Sequence, residues 1–263
     1  MLIDTHSHVD RYDRDGGSAL KSALAEITQN RILTISNSMD LPSYERNLEI
    51  AELCNLVLPI FGVHPWNASQ YANHLEDLEL AIGQTPMLGE IGLDFHFIED
   101  PSAYPAQVRV FEFLLAEASQ RGMIAQLHTK GAELEVLRLL DNYRIPAAIV
   151  HWYSGPREVF KKMVARGFYF TVGVEVLYSE RIQSIAREIP TEKLLTETDN
   201  PGGPKGFIGY PGMPTLLNDV VQGVAWARNT TVEQITNTVE SNFLRLIRCD
   251  SRLNEIRSVV WGE

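Results

Sequence analysis

The stretch LIDTHSH (residues 2–8) begins as a short apolar run and ends in two histidines, His6 and His8. The run favours a β-strand, in which side chains at positions i and i+2 point to the same face. His6 and His8 would then lie side by side, and neutral imidazole is the commonest metal ligand in proteins. Two polar residues with separate hydrogen bonds would give the same pattern, so this stretch alone leaves metal binding open.

Similar runs, apolar and rich in β-branched residues, recur along the chain with helical stretches between them. With residues 2–7 they predict eight strands, the others at 31–37, 57–63, 87–92, 123–128, 147–152, 168–173 and 193–199. Helices are predicted at 19–29, 44–53, 104–121, 132–143, 156–166, 215–227 and 231–248. Strands of this kind are typical of parallel sheets covered on both faces. We therefore predict an α/β fold, a single (β/α)8 barrel over residues 1–263 with its active site at the carboxyl ends of the strands.

The composition is that of an ordinary globular protein, with 263 residues, 44% of them hydrophobic and 22% charged. A doubly wound open sheet would also fit the alternation, but no glycine-rich phosphate loop follows the first strand. The sequence contains no apolar run of membrane-spanning length, and its N-terminus lacks the basic segment of a signal peptide. Cys54 and Cys249 are far apart in the sequence. We expect both to be free thiols in a reducing cytoplasm.

The net charge of −11 comes from 23 basic and 34 acidic residues and disfavours broad, non-specific binding to nucleic acid. It does not exclude a phosphate-bearing substrate, because bound divalent cations can reverse the sign of a site locally. Local cations would supply further attraction, and Lys130 and Lys205 are the candidates. Lys205 belongs to a Gly/Pro-rich stretch at 201–214, which we expect to be a long loop able to close over the site.

Residues able to bind metals stand at the ends of six predicted strands, where barrel enzymes build their active sites. They are His6, His8, His64, Glu90, His128, His151 and Asp199. Each one alone could be an ordinary polar residue at a strand end, but that explanation would have to hold independently six times. Nitrogen and carboxylate donors without cysteine suit Zn, Mn, Fe or Mg. A set of this size suits two metal ions that share a carboxylate, and Glu90 on the fourth strand is the natural bridge.

The motifs around these residues resemble those of the TatD family of metal-dependent deoxyribonucleases, in the amidohydrolase superfamily. IDTHSHVD, GVHPW, GEIGLDF, QLHTK, IVHWYSG and LLTETDNP follow in family order, and the resemblance runs from residue 3 to about 247. It implies two divalent ions (Mg, Mn or Zn), one bound by His6, His8, Glu90 and Asp199. The other would be bound by Glu90, His128 and His151. His64 would face the substrate phosphate and Asp199 would help to activate water, in hydrolysis of DNA phosphodiester bonds from a 3′ end.

The expected substrate contacts depart from the family pattern. Trp66 stands where the family often has a histidine, and Lys130 where it usually has an arginine. Trp66 and Tyr153 flank the expected mouth, where they could stack on bases or simply pack at the rim. HWYSG and LTETD resemble a TatD-like branch of Qat-type anti-phage defence systems, which would imply protein partners in a complex. Without such partners we expect a monomer with no membrane association.

Two other functions remain open at this point. The barrel also hosts metal-dependent hydrolases of small amides, esters or lactones, and fold does not determine function. Many of those enzymes bridge two metals with a modified lysine, where this chain has Glu90. The remaining alternative is a scaffold subunit that retains the barrel and little activity, and the complete ligand set argues against it.

Overall fold

In this computed structural model, strands and helices alternate through the described residues, 1–15 and 17–262. The strands are β1 (Leu2–Ser7), β2 (Ile32–Asn37), β3 (Val57–Ile60), β4 (Leu88–Gly92), β5 (Ala125–His128), β6 (Ala148–Val150), β7 (Tyr169–Val172) and β8 (Leu194–Thr196). The α-helices are α1 (Ser18–Asn30), α2 (Leu41–Leu53), α3 (Ala68–Tyr71), α4 (Glu79–Gln84), α5 (Tyr104–Arg121), α6 (Glu133–Leu139), α7 (Arg157–Ala165), α8 (Glu180–Glu188), α9 (Lys205–Ile208), α10 (Leu216–Ala227), α11 (Val232–Ile247) and α12 (Asn254–Trp261). Short 3₁₀ helices cover Val9–Asp15, Pro65–Asn67, Leu75–Leu78, Pro101–Ala103, Leu140–Asn142, Val174–Leu177, Thr191–Lys193 and Ser251–Leu253.

Local sequence signals set the ends of the longer helices. A proline in its first turn favours the start of α5, and Gly122 ends that helix in the left-handed conformation with φ 63°. The Gly122 N–H bonds back to Ala118 O, which satisfies one of the last carbonyl groups. At the start of α11, Thr231 and Gln234 form a capping box. None of the helices in the described ranges is long and apolar enough to cross a membrane.

Contacts between Cα atoms divide the chain into two compact units. The first comprises Met1–Ser36, Arg46–Pro59 and Phe170–Glu263. In it β1 pairs in parallel with β2, and β7 pairs in parallel with β8. The Thr5 and Thr196 hydroxyls donate to Thr196 O at 2.7 Å and Ile3 O at 2.9 Å, so β1 and β8 lie next to each other. With β3 beside β2, the strand order in this unit is β3, β2, β1, β8, β7.

Helices cover the strands of the first unit. The helix α11 packs on β1 and β8, and Asn242 fastens it by donating to Leu194 O at 2.8 Å. A buried apolar cluster joins α1 to neighbouring segments and includes Tyr12, Leu20, Ile27 and Ile50. Burying side chains of this size stabilises the unit by about 1.5–3 kcal/mol each.

The second unit comprises Asn37–Glu45 and Ile60–Tyr169. In it β4 pairs in parallel with β5, β5 pairs in parallel with β6, and Phe61 forms a parallel bridge with Leu88. The helix α5 packs on β4. The carboxyl ends of β4 and β5 approach closely at Gly92, where an added Cβ would lie 1.9 Å from His128 O. Glycine is therefore needed at the point where these two strands present their functional residues.

The predicted alternation of eight strands with helices is confirmed over the described residues. The strands β3, β6 and β8 end earlier than predicted, at Ile60, Val150 and Thr196. Just beyond β6 and β8, Trp152 and Asp199 have left-handed backbones with φ 40° and 53°, which a strand does not accommodate. The stretch 201–214, predicted as loop, contains the single helical turn α9, and α3, α4, α8 and α12 were not predicted.

Candidate active site

In the first unit, hydrogen bonds join the end of β1 to the segment that follows β8. Asp199 N donates to His6 O at 2.9 Å, and His8 N donates to Asn200 O at 2.7 Å. The buried Asp4 carboxylate accepts from Thr198 N at 2.9 Å and from Thr198 Oγ1 at 2.6 Å. Burial raises the pKa of Asp4 to about 7, although the bonds from Thr198 oppose this shift. These contacts fix the main chain of Asp199 relative to the two histidines.

Two imidazoles and one carboxylate come together at this junction. His8 Nε2 lies 3.3 Å from Asp199 Oδ1, and His6 Nε2 lies 3.7 Å from the same oxygen. Both histidines are buried, and Asp199 remains partly exposed. A non-glycine residue in the left-handed region costs about 1 kcal/mol or more and clusters at functional sites. Its occurrence at Asp199, with φ 53°, supports a functional role for this carboxylate.

The Gly/Pro-rich stretch is anchored to this junction. Gly203 N donates to Asp199 O at 2.9 Å, and an added Cβ on Gly203 would lie 2.2 Å from Asp199 Oδ2. Glycine therefore allows the chain to pass directly against the carboxylate. Farther along, the Tyr12 hydroxyl donates to Gly212 O at 2.8 Å. Lys205, which begins α9, is exposed.

In the second unit, three histidines surround Glu90. Glu90 Oε1 lies 3.3 Å from His64 Nε2, 3.6 Å from His128 Nδ1 and 3.6 Å from His151 Nε2. His128 Nδ1 and His151 Nε2 are 3.2 Å apart, and all four residues are buried. Glu90 also has a left-handed backbone, φ 48°, where the β4–β5 register shifts. Such irregularities re-aim side chains next to active sites.

The hydrogen bonds assign different roles to His128 and His64. His128 Nε2 lies 3.0 Å from Asp94 Oδ2, and an ionised carboxylate only accepts, so Nε2 carries a proton. His128 Nδ1 is then the atom available to a metal, a common arrangement for metal-binding histidines. His64 Nδ1 instead accepts from Trp66 N at 3.1 Å. In a neutral ring its Nε2 therefore carries the proton, and His64 offers a hydrogen-bond donor where His128 offers a ligand.

Asp94 belongs to the motif GEIGLDF and had no predicted role, but the structure gives it a definite place. Its Oδ1 accepts from His96 N at 2.9 Å and Phe97 N at 2.7 Å, and its Oδ2 accepts from Trp66 Nε1 at 2.8 Å. Burial opposes ionisation, but the hydrogen bond from His128 outweighs it and holds the pKa of Asp94 well below its usual range. Asp94 is thus a charged buried acceptor that orients His128. An aspartate that precedes a tight turn was the available sequence signal.

The titration of His128 predicts how the metal-free protein responds to pH. Burial lowers the pKa of His128, but the hydrogen bonds to Asp94 and Glu90 outweigh it and raise that pKa from 6.5 to about 9. A pKa raised by folding stabilises the protein fully below the unfolded value and loses that effect as pH rises through the folded value. We expect the free energy of unfolding of the EDTA-treated protein to fall between pH 7.5 and 9.5, measured by urea denaturation.

Over this pH window the titration of His128 can be told apart from that of Asp4. With a pKa of about 7, Asp4 has lost most of its proton below the window. In His128→Gln the decline between pH 7.5 and 9.5 should disappear. Metal binding displaces the proton on His128 Nδ1. The affinity of the wild type for Zn²⁺ should therefore increase from pH 7.5 to 9.5. A stability curve that stays flat or rises across it in the wild type would contradict the protonation state assigned to His128.

The expected substrate contacts differ in exposure. Trp66 is 45% exposed, whereas Tyr153 is 3% exposed and its hydroxyl donates to Pro156 O at 2.7 Å. Tyr153 therefore packs within the unit, and its face is not presented for stacking. Lys130 Nζ donates to Ser154 Oγ at 2.7 Å.

The chain is similar to known proteins over nearly its whole length. The sequence profile described as TatD related DNase matches residues 3–248. The uncharacterized metal-dependent hydrolase YabD of Bacillus subtilis is 30% identical over 260 residues, which cover 94% of this chain and 99% of that protein. The 3'-5' ssDNA/RNA exonuclease TatD of Citrobacter koseri is 29% identical over 245 residues, which cover 88% of this chain and 92% of that protein.

The structural comparison agrees with the sequence profile. The crystal structure of the TatD homologue YJJV from Escherichia coli superposes with a TM-score of 0.83 at 23% identity, covering 93% of this chain and 97% of that one. This likeness confirms the predicted α/β fold class. The profile match extends over nearly the whole chain and contains every predicted metal ligand. The chain belongs to the TatD-related DNase family, and it is a metal-dependent hydrolase.

Proposed function

We propose that this hydrolase uses two divalent ions to cleave phosphodiester bonds of single-stranded nucleic acid, removing nucleotides from the 3′ end. The observation that carries the proposal is the convergence of His128 Nδ1 and His151 Nε2 on Glu90 Oε1, each at 3.6 Å. Asp94 holds His128 in the tautomer that a ligand requires. The group of His6, His8 and Asp199 supplies a separate set of donors.

The donor sets fit divalent metal ions. The donor atoms Glu90 Oε1, His128 Nδ1 and His151 Nε2 lie 3.2 to 3.6 Å from one another in a buried position, and imidazole with carboxylate suits Zn or Mn. We assign one ion to Glu90, His128 and His151, and another to His6, His8 and Asp199. That Glu90 also contributes to the second of these ions stays a prediction from the family resemblance. Paired metal ions activate water and stabilise the charge that develops on phosphoryl oxygens.

We assign roles to the surrounding residues. His64, whose Nε2 lies 3.3 Å from Glu90 Oε1, would face the substrate phosphate, as the family resemblance implies. The partly exposed Asp199 carboxylate accepts a proton from the attacking water. Lys130 offers a positive charge near the exposed Trp66 side of the cluster and can neutralise a neighbouring phosphate.

A nucleic acid is favoured over a small amide, ester or lactone for two reasons. Glu90 stands where many amidohydrolases of small substrates have a modified lysine, and it lies among three histidines. The Citrobacter koseri relative is named a 3'-5' ssDNA/RNA exonuclease and aligns over 92% of its own length. We expect DNA to be the principal substrate, and the same assays on RNA test the broader range.

The test is a nuclease assay combined with metal analysis of the purified protein. We expect about two divalent ions per chain after reconstitution with Mn²⁺ or Zn²⁺ and shortening of a 5′-labelled single strand one nucleotide at a time. EDTA should abolish cleavage, and metal should restore it. An oligonucleotide blocked at its 3′ end should resist, while one blocked at its 5′ end should not. Cleavage of nitrophenyl esters or lactones without cleavage of any oligonucleotide would contradict the proposal.

A further inference from the structure

Two exposed aromatic side chains stand together in the second unit. Trp66 is 45% exposed and Phe97 is 57% exposed. Their ring centroids are 5.9 Å apart, and the ring planes meet at 80°. The other large hydrophobic side chains exposed among the described residues of this unit, Leu80 and Leu134, are aliphatic. The two rings thus form an L-shaped corner open to solvent, which we call the Trp66–Phe97 corner.

The corner is attached directly to the histidine cluster. The Trp66 ring meets the His64 ring edge to face at 4.7 Å, and Trp66 Nε1 donates to Asp94 Oδ2 at 2.8 Å. Phe97 N donates to Asp94 Oδ1 at 2.7 Å. The carboxylate that orients His128 therefore also holds the Trp66 side chain and the Phe97 main chain. A side chain fixed as Trp66 is loses little conformational entropy when a ligand binds.

The loop that carries Phe97 is itself well supported. Phe95 stacks on Tyr104 with ring centroids 3.9 Å apart, and Phe95 N donates to Lys130 O at 2.9 Å. Lys130 Nζ lies 5.9 Å from the centre of the Phe97 ring. A positive charge thus stands over one face of the Phe97 ring, close to the exposed aromatic surface. Planar apolar surface next to a cation matches the chemistry of a nucleotide, which joins a flat base to a phosphate.

We propose that the Trp66–Phe97 corner binds the unpaired base of the 3′-terminal nucleotide, with Lys130 beside its phosphate. The inference rests on the proposed function and names the part of the substrate that this surface recognises. One face of the base stacks on Phe97, and its edge meets Trp66. Every base has a π face, so the corner accepts all four bases. A terminal base in a duplex must unpair before it can enter, which gives a preference for single strands.

The test compares a normal oligonucleotide with one whose 3′-terminal nucleotide is abasic. Binding is measured by fluorescence anisotropy of 5′-labelled strands on the Ca²⁺-loaded protein, and gel electrophoresis checks that the strands stay intact, so that the readout is independent of cleavage. We expect the wild type to bind the abasic strand about tenfold more weakly, a typical effect of one base–aromatic stack. Phe97→Ala should bind the normal strand as weakly as the wild type binds the abasic one and should not distinguish the two. Phe97→Trp should keep the distinction.

Trp226→Ala is the matched control, because Trp226 is 70% exposed on α10 of the first unit. It should retain the full preference for the normal strand. A preference that survives in Phe97→Ala, or equal wild-type binding of both strands, would overturn the inference. Cleavage rates on the same strands separate this failure from failure of the proposed function. If the wild-type protein degrades both strands at the same rate, the proposed nuclease function holds and only the inference about base binding is wrong.

Discussion

Replacing Glu90 by Gln should abolish hydrolysis while leaving the fold intact. The Glu90 carboxylate faces three imidazole nitrogens at 3.3 to 3.6 Å, and its charge is what would hold a cation against them. The Gln side chain has nearly the same shape but is neutral. It would leave the His128 and His151 nitrogens without an anionic partner ligand. We expect kcat to fall about a thousandfold or more, in keeping with the loss of metal-assisted chemistry.

Metal content and thermal unfolding make this result interpretable. If Glu90 contributes to both ions, as the resemblance implies, Glu90→Gln should reduce the content from about two ions per chain to nearly none. The far-ultraviolet circular dichroism should be unchanged. Glu79→Gln, at an exposed position that begins α4, is the matched control and should keep full activity and metal. Near-native activity in Glu90→Gln would show that Glu90 is not a metal ligand.

Much of the fold was predictable because its signals are local. Apolar periodicity and a terminal glycine located α5 correctly from Tyr104 to Arg121. The ends of the functional strands were harder to predict. Glu90 and Trp152 adopt left-handed conformations that their residue types do not favour, and Asp199 adopts one that aspartate tolerates better than most residues. Tertiary contacts impose such conformations, as the bonds from Asp199 N to His6 O and from Gly203 N to Asp199 O illustrate.

The candidate site was predictable in composition and less so in the division of roles. Histidines at strand ends could be counted in the sequence, but which nitrogen of His64 or His128 carries a proton depends on partners distant along the chain. Asp94 lies 34 residues from His128 and orients it. For Tyr153 the sequence left stacking and packing open, and its burial could not be determined from a short motif.

Some predictions concern properties outside the fold and the site. Both cysteines are free thiols, as expected from their spacing. The cytoplasmic location, the monomeric state, the single barrel domain and the association with a Qat-type complex stay predictions. The Gly/Pro-rich stretch stays a predicted lid, and its anchors at Gly203 and Gly212 are the points about which it would have to move.

Asp199→Asn should remove hydrolysis by a different route from Glu90→Gln. Asparagine tolerates the left-handed region better than most residues, so the φ of 53° at this position should persist. Asn has nearly the same shape as Asp, and therefore also preserves the close approach of Gly203. What changes is the charge that faces His6 Nε2 and His8 Nε2 at 3.7 and 3.3 Å, together with the capacity to take a proton from water.

We therefore expect Asp199→Asn to lower kcat about a thousandfold or more without lowering the unfolding temperature of the metal-free protein, and metal analysis to show about one ion per chain instead of two. The ion that remains should be the one held by His128 and His151, because Asp199 is not among the ligands assigned to it. Asp219→Asn, at an exposed position on α10, should leave activity and both ions unchanged.

Gly203→Ala, whose new Cβ would press on the Asp199 carboxylate, should reproduce part of the loss of activity although the Asp199 charge is still present. Full activity in Asp199→Asn would exclude this carboxylate from the chemistry, and loss of both ions would show that the two sets of ligands do not bind independently.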